Sequence, residues 1–457
     1  MSFPSPCAPP ETAPEVGQLT MRSLVALMLP ISLTCLMTSG SAPIVTGGIS
    51  WMYGPDGERV HLAAFLVCFM TAIMLYSPIF ITREFAIRTV VDKGSQAQYL
   101  RFFTTVSATC AAVIVTIATV TPLNVLLFEK LMNVNSMTRE LVCEGMIWFA
   151  PISFFVMMRS LGQARHINEH RTWYVGAGTA LRLVVMSSFV CIVAVYRPGT
   201  SGTALGGQTF CLGIGSEAVF VFLTARLRPL ADGAAVMKTG QVCRYAMPMM
   251  AAAVTRMLVP MVLISLIAST RQSQESMAGY DLLRGTLWIS LSMLGALQPA
   301  VVSCATSRGN LATLRRASVG MALGIVVLIA LVAFTPLHRL IFVDLLALDN
   351  TVIQTLLFEA LPWAALMPVF AAAEFMLSAL HMRAGSTLWV WGGTLGGLLS
   401  LCVIGMCLDV SSMNGVLLVI FASLLQAIVS VVILAIGHIR NGLARALVTT
   451  PLSESLG

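Results

Sequence analysis

Four ionisable side chains, Arg182, Glu217, Arg256 and Glu374, sit deep inside long apolar stretches of this sequence. A charged group at the centre of a membrane helix costs about 2.5–3.5 kcal/mol on insertion scales, so each must face protein or an aqueous cavity and find a partner. Arg182 and Glu217 lie about eight residues in from the same end of consecutive spans. Equal depth pairs them, either as a structural tie or as part of an ion-coupling site. Arg256 and Glu374 have no charged counterpart in the first half of the chain, where Thr38 or Ser39 and Val156 stand at the matching places. Such asymmetry is expected of a site. A guanidinium there can hold a carboxylate or phosphate through two parallel hydrogen bonds; the plainer alternative is an Arg–Glu tie between two helices. Arg256, Glu374, Arg182, Glu217, Thr38 and Ser39 are therefore the candidate substrate and coupling residues.

Other chemistries find no support. The six His residues fall at span ends or in connections, and the His166–His170 spacing lacks further ligands, so no metal site is expected. The 11 Cys residues include no CxxC pair, and neither Lys93-Gly94-Ser95 nor Lys238-Thr239 carries the glycine frame of a phosphate-binding loop. No nucleophile, base and orienter can be named together, so an enzyme is not expected, nor a cofactor. Glu144, near a span end, is expected to snorkel.

The elements that must position these residues follow from composition. Of 457 residues, 57% are hydrophobic and 10% charged, and mean hydropathy is +0.87. A soluble domain carries roughly 25% charged residues. Soluble, disordered and nucleic-acid-binding classes are thus excluded, and a polytopic all-α membrane protein remains. Runs long enough to span a bilayer number twelve: 23–49, 61–82, 102–128, 141–158, 175–196, 203–225, 245–268, 283–305, 317–334, 356–380, 388–408 and 414–438. Residues 1–22 lack a basic signal region and are expected to remain as a flexible tail. Of the 27 Lys and Arg, 18 fall in the tails and even-numbered connections and 7 in or bordering the odd-numbered ones, an excess expected to place both termini in the cytoplasm.

Ten of the 20 prolines form five pairs 214 to 221 residues apart: Pro30 with Pro248, Pro43 with Pro260, Pro78 with Pro299, Pro122 with Pro336, and Pro151 with Pro368. This repeat implies two parallel six-helix bundles, 23–225 and 245–438, joined by a cytoplasmic linker at 226–244 and followed by a tail at 439–457. Pro30, Pro43, Pro248 and Pro260, in the spans that open each half, are candidate hinges. Overlapping GxxxG patterns at Gly392–Gly396 and Gly393–Gly397 mark span eleven for close packing within its bundle, and a monomer is expected.

The chain resembles the multidrug and toxic compound extrusion (MATE) group and its flippase relatives. The resemblance rests on Leu29-Pro30-Ile31-Ser32 and Met247-Pro248-Met249-Met250 opening the two halves, and on Arg159-Ser160-Leu161-Gly162-Gln163 before span five. Span seven, with Arg256 four residues before Pro260, resembles the matching helix of the progressive ankylosis protein family. The resemblance implies alternation between inward-open and outward-open states, driven by a proton or sodium gradient. The acidic residue that many MATE exporters carry in span one is absent, since Ser32 to Gly48 contains no carboxylate. The expectation is a secondary transporter of the cytoplasmic membrane for a small anionic or zwitterionic organic solute. A flippase for a lipid-linked saccharide and a cation-type multidrug exporter are the alternatives within transport; a membrane enzyme or a receptor is a different class.

Overall fold

A computed structural model of the chain describes residues 19–441 apart from 133, 198, 228–229, 234–238, 271, 346–350 and 408–411. The tail expectations for 1–18 and 442–457, and Arg228 and Lys238 of the linker, lie outside the described residues. The fold is helical. In chain order the helices are α1 Met21–Ser39, α2 Ser41–Tyr76, α3 Thr82–Thr89, α4 Lys93–Thr119, α5 Thr121–Asn124, α6 Ser136–Phe149, α7 Ile152–Asn168, α8 Trp173–Tyr196 and α9 Gly202–Arg226. They continue with α10 Thr239–Ala268, α11 Ser273–Ser292, α12 Leu297–Cys304, α13 Arg308–Phe334, α14 Leu337–Arg339, α15 Thr351–Ala364, α16 Met367–Ala384, α17 Thr387–Cys407 and α18 Gly415–Arg440. Among the described residues, eleven stretches are long and apolar enough to cross a membrane; α15 and α16, bent by 48° at their junction, supply a twelfth.

Helix starts follow the capping chemistry of the sequence. Asp92 accepts from Ser95 N at 2.7 Å to open α4, Asn135 accepts from Thr138 N at 2.7 Å to open α6, and Ser307 accepts from Asn310 N at 3.2 Å to open α13. Each cap satisfies an otherwise orphaned N–H.

Three of the five proline pairs mark the same local departure in both halves. A 3₁₀ turn, Ser77–Ile81, follows α2 and contains Pro78, while Met293–Ala296 precedes α12 and its Pro299. A π-helical segment follows Pro122 at Val125–Leu131 and Pro336 at Leu340–Leu345. The breaks between α6 and α7 and between α15 and α16 fall beside Pro151 and Pro368. A ring that removes one helical N–H makes the ladder re-register nearby, and the chain uses it at equivalent places twice.

The chain forms two compact units, one spanning Leu33–Val242 and one joining the chain up to Ser32 with Cys243 onward. Residues 23–32, assigned to the first bundle from sequence, therefore cluster with the C-terminal helices. Leu19 N donates to Asn310 Oδ1 at 2.9 Å and Ser32 Oγ to the Met293 carbonyl at 3.3 Å, where the 3₁₀ turn leaves helical bonding irregular. Span one also departs from expectation by breaking at Gly40, and helix continues through the predicted first connection, since α2 runs to Tyr76. Pro43 thus lies in the first turn of α2, where a missing N–H costs little, rather than in mid-helix. Pro30, Pro248 and Pro260 are inside their helices. Span four ends later than predicted: α7 runs to Asn168, which moves Arg159 from a connection into the span.

In the Leu33–Val242 unit, Phe65, Phe69, Phe149 and Phe210 form an aromatic core with centroid separations of 4.9 to 6.4 Å. In the other unit Leu263, Ile267, Leu401 and Val419 are buried together. Span eleven packs within its unit as expected: a Cβ on Gly393 would meet the Ser430 carbonyl of α18 at 3.2 Å, and one on Gly397 the Gln426 carbonyl at 3.0 Å.

Glycine also sets how closely α7 and α8 approach α9. A Cβ at Gly162 would fall 2.8 Å from the backbone C and O of Val221, and one at Gly178 would fall 2.6 Å from Val221 Cγ2. We expect Gly162→Ala to destabilise the detergent-solubilised protein by about 1–3 kcal/mol, since backbone must part. Gly178→Ala, which meets the end of a side chain, should cost less. Thermal unfolding followed by size-exclusion chromatography checks the order; equal effects would contradict it.

Candidate functional site

The close approach of α7, α8 and α9 brings a polar cluster together inside one unit. Its centre is Glu217 of α9, 1% exposed. Arg159 Nη1 donates to Glu217 Oε2 at 3.3 Å, and Arg182 Nη1 donates to the same oxygen at 3.4 Å. Gln163 Nε2 donates to Oε1 at 3.0 Å, and Thr179 Oγ1 donates to it at 3.0 Å. Arg182 Nη2 donates to Ser41 Oγ at the start of α2. Four donors on one carboxylate match its lone-pair capacity, which is what a buried ion requires.

Helix geometry explains why they meet. Arg159, Arg182 and Glu217 each stand nine residues from the end of α7, the start of α8 and the end of α9, respectively. At about 1.5 Å per residue that is about 14 Å, close to half of a bilayer core about 30 Å thick. Arg159 and Gln163 are one turn apart on α7, as are Thr179 and Arg182 on α8, so each helix offers two donors on one face.

The cluster holds two guanidiniums on one carboxylate. Arg182 is 3% exposed and Arg159 is 19% exposed. The Nε atoms of both are buried with no hydrogen-bond partner among the described residues. Arg83, on α3 of the same unit, brings its own counter-charge, lying 2.7 Å from Glu84. In this cluster a second cation therefore faces one anion in a low-dielectric interior.

Arg182 and Glu217 are thus paired as their depth implies, and Arg159, Gln163, Thr179 and Ser41 join them. Arg256 and Glu374 are also brought together, Nη2 to Oε1 at 3.3 Å. This second pair balances its own charge, and it is more open, with Arg256 40% and Glu374 16% exposed. We expect single neutralisations, Arg256→Gln or Glu374→Gln, to destabilise more than the double variant, with a coupling energy of about 0.5–1.5 kcal/mol in a double-mutant cycle. Additive effects would show that the contact carries no energy.

Thr38 and Ser39 are bound to their own helix, donating to the carbonyls of Thr34 at 2.8 Å and Cys35 at 3.2 Å just before the break at Gly40. Two of the histidines placed at span ends or in connections, His166 and His381, are buried. His166 bonds Thr224 Oγ1 at 3.0 Å and stacks on Tyr174. His381 bonds Ser386 Oγ and the Leu434 carbonyl, each at 2.9 Å. Among the described residues no three His, Cys, Asp or Glu side chains are grouped to hold a metal.

No protein-family model matches the sequence, and no characterised relative matches it. Solved structures do. One is a MOP superfamily transporter from Pyrococcus furiosus Vc1 described as having a binding pocket of reverse polarity that suggests a different function. It is 16% identical, with a TM-score of 0.70, and the match covers 96% of this chain and 99% of that one. MATE in the bent conformation is 15% identical with a TM-score of 0.71, covering 95% and 98%. An outward-facing multidrug resistance transporter of the MATE family is 16% identical with a TM-score of 0.66, covering 94% and 97%. The chain shares the fold of these MATE transporters, an all-α architecture with apolar helices long enough to cross a membrane; the likeness does not single out the ankylosis branch.

Proposed function

We propose that this protein is a secondary transporter of the cytoplasmic membrane that moves a small anionic or zwitterionic organic solute by alternating access, with both termini cytoplasmic. The fold supports transport, because the solved structures that share it are transporters. The sign of the solute rests on one observation: Glu217 answers two guanidiniums, Arg182 buried and Arg159 half-buried. A carboxylate or phosphate entering beside Arg159 supplies the missing negative charge, and a cation there meets net repulsion. Pocket polarity is described as reversed in one transporter of this fold, so the sign of a site is a property that varies within it.

Charge balance at the Arg256–Glu374 pair favours the same reading. Arg256 already has Glu374, so it needs no solute to offset it. In this reading Arg182, the more deeply buried of the two, positions Glu217, and Arg159 meets the solute. A proton or sodium gradient drives the cycle and no cofactor takes part.

Uptake into proteoliposomes, with panels of labelled organic anions and cations under imposed proton and sodium gradients, tests the proposal. Gradient-driven uptake of anions is the expected result. Uptake confined to cations, or movement of a lipid-linked saccharide with no soluble solute carried, would overturn it.

A further inference from the structure

A separate cavity of about 490 Å³ opens in the Leu33–Val242 unit, away from the charged cluster. α9 forms its floor through Gln208 and Leu212; Trp148 of α6 and Phe189 and Ile192 of α8 form its walls. Successive helical residues turn by about 100°, so Gln208 and Leu212 face away from Gly206 and Phe210. Those two meet Phe65 and Phe69 of α2. The cavity therefore lies on the side of α9 opposite α2. Its walls carry large apolar side chains that protein leaves uncovered, with Trp148 43%, Ile192 55% and Leu212 46% exposed.

Polar groups are placed along it in a set order. Arg197 and Thr200 line its end at the α8–α9 connection, just past the end of α8 and just before the start of α9, which we take as the mouth. Gln208 is six residues into α9, about 9 Å along its axis. Phe189 is seven residues back from the end of α8, so the apolar wall reaches about 10 Å below the mouth. The Arg197 guanidinium forms no ion pair, and the Gln208 amide no hydrogen bond, among the described residues. A half-buried amide among apolar side chains without a partner is costly.

We propose that this cavity binds an anionic diacyl phospholipid of the surrounding bilayer. The order of groups matches that molecule: phosphate at Arg197, an ester carbonyl accepting from the Gln208 Nε2 amide, and an acyl chain against Phe189, Ile192 and Trp148. The cation selects the headgroup charge, and the apolar depth requires a lipid rather than free phosphate. The site is independent of the transport cluster, whose residues it does not share.

The test uses the full chain in vesicles of zwitterionic phosphatidylcholine containing increasing fractions of phosphatidylglycerol. One of the two lipids carries dibrominated acyl chains that quench tryptophan on contact. The difference between wild type and Trp148→Phe isolates the signal of Trp148. Half-maximal quenching by brominated phosphatidylglycerol is expected at about fivefold lower mole fraction than by brominated phosphatidylcholine. Arg197→Gln should erase that ratio, Gln208→Leu should weaken both lipids, and inorganic phosphate should leave the ratio unchanged. Equal quenching by both lipids in wild type, or a ratio that survives Arg197→Gln, would overturn the proposal. Loss of the ratio on adding inorganic phosphate would also overturn it, assigning the site to the free anion.

Discussion

Glu217→Gln should be the most damaging single substitution in the chain. It leaves Arg159 and Arg182 charged, adjacent and about 14 Å from the helix ends with no carboxylate to answer them. Removing one partner of a buried ion pair costs about 3–5 kcal/mol, and here two cations lose the same partner. The variant is expected to accumulate poorly and to unfold well below wild type in detergent. The double variant Glu217→Gln with Arg182→Gln should recover much of that loss, because the remaining cation, Arg159, is the less buried of the two. Expression level and thermal unfolding of the three proteins check this. A double variant no better than Glu217→Gln alone would mean that hydrogen bonding, not charge, holds the cluster.

Arg159→Gln should do the opposite, sparing the fold and removing function. Arg182 and Glu217 remain as a balanced pair, and a glutamine at 159 can still donate a hydrogen bond. What disappears is the positive excess. A hydrogen bond to a charged partner contributes about 1.5–3 kcal/mol, so anion transport should fall by about 10- to 100-fold in kcat/KM while thermal stability changes little. Arg256→Gln, which removes a cation already answered by Glu374, should have the smaller effect on anion selectivity. A larger loss with Arg256→Gln than with Arg159→Gln would move the solute to the other unit.

The spans, their number and the duplicated halves were legible because hydropathy and proline spacing report what a helix must do to cross a bilayer. The Arg182–Glu217 pair was legible because two charges at one depth have few other partners. Arg159 was not, although the string from Arg159 to Gln163 stood out as a family-like element. Hydropathy drops sharply where Arg159, Ser160, Gln163 and Arg165 follow one another, and that drop looks like the end of a span. In the fold α7 continues to Asn168, with Ser160, Gln163 and Arg165 all buried. An average over residues cannot separate a polar helix end enclosed by protein from a loop enclosed by water. The one-turn spacings of Arg159 with Gln163 and of Thr179 with Arg182 were the signal that could have found the cluster.

Span one shows the converse. Its composition is that of an unbroken apolar helix, but the Pro43 ring has no N–H to offer the Ser39 carbonyl, and Gly40 weakens the helix at the same place. Past the break Ser41, which was not among the candidate residues, lies against Arg182. The repeat gave no warning, since α10 carries the matching prolines and runs unbroken from Thr239 to Ala268.

A transported carboxylate and its neutral primary amide, compared as substrates of wild type and Arg159→Gln in the same proteoliposomes, test most directly whether Arg159 sets the charge of the solute. Wild type is expected to prefer the carboxylate, and Arg159→Gln to carry both at similar kcat/KM, with its thermal unfolding near that of wild type. An undiminished preference for the carboxylate in Arg159→Gln, or a wild type that does not distinguish the two, would contradict that role.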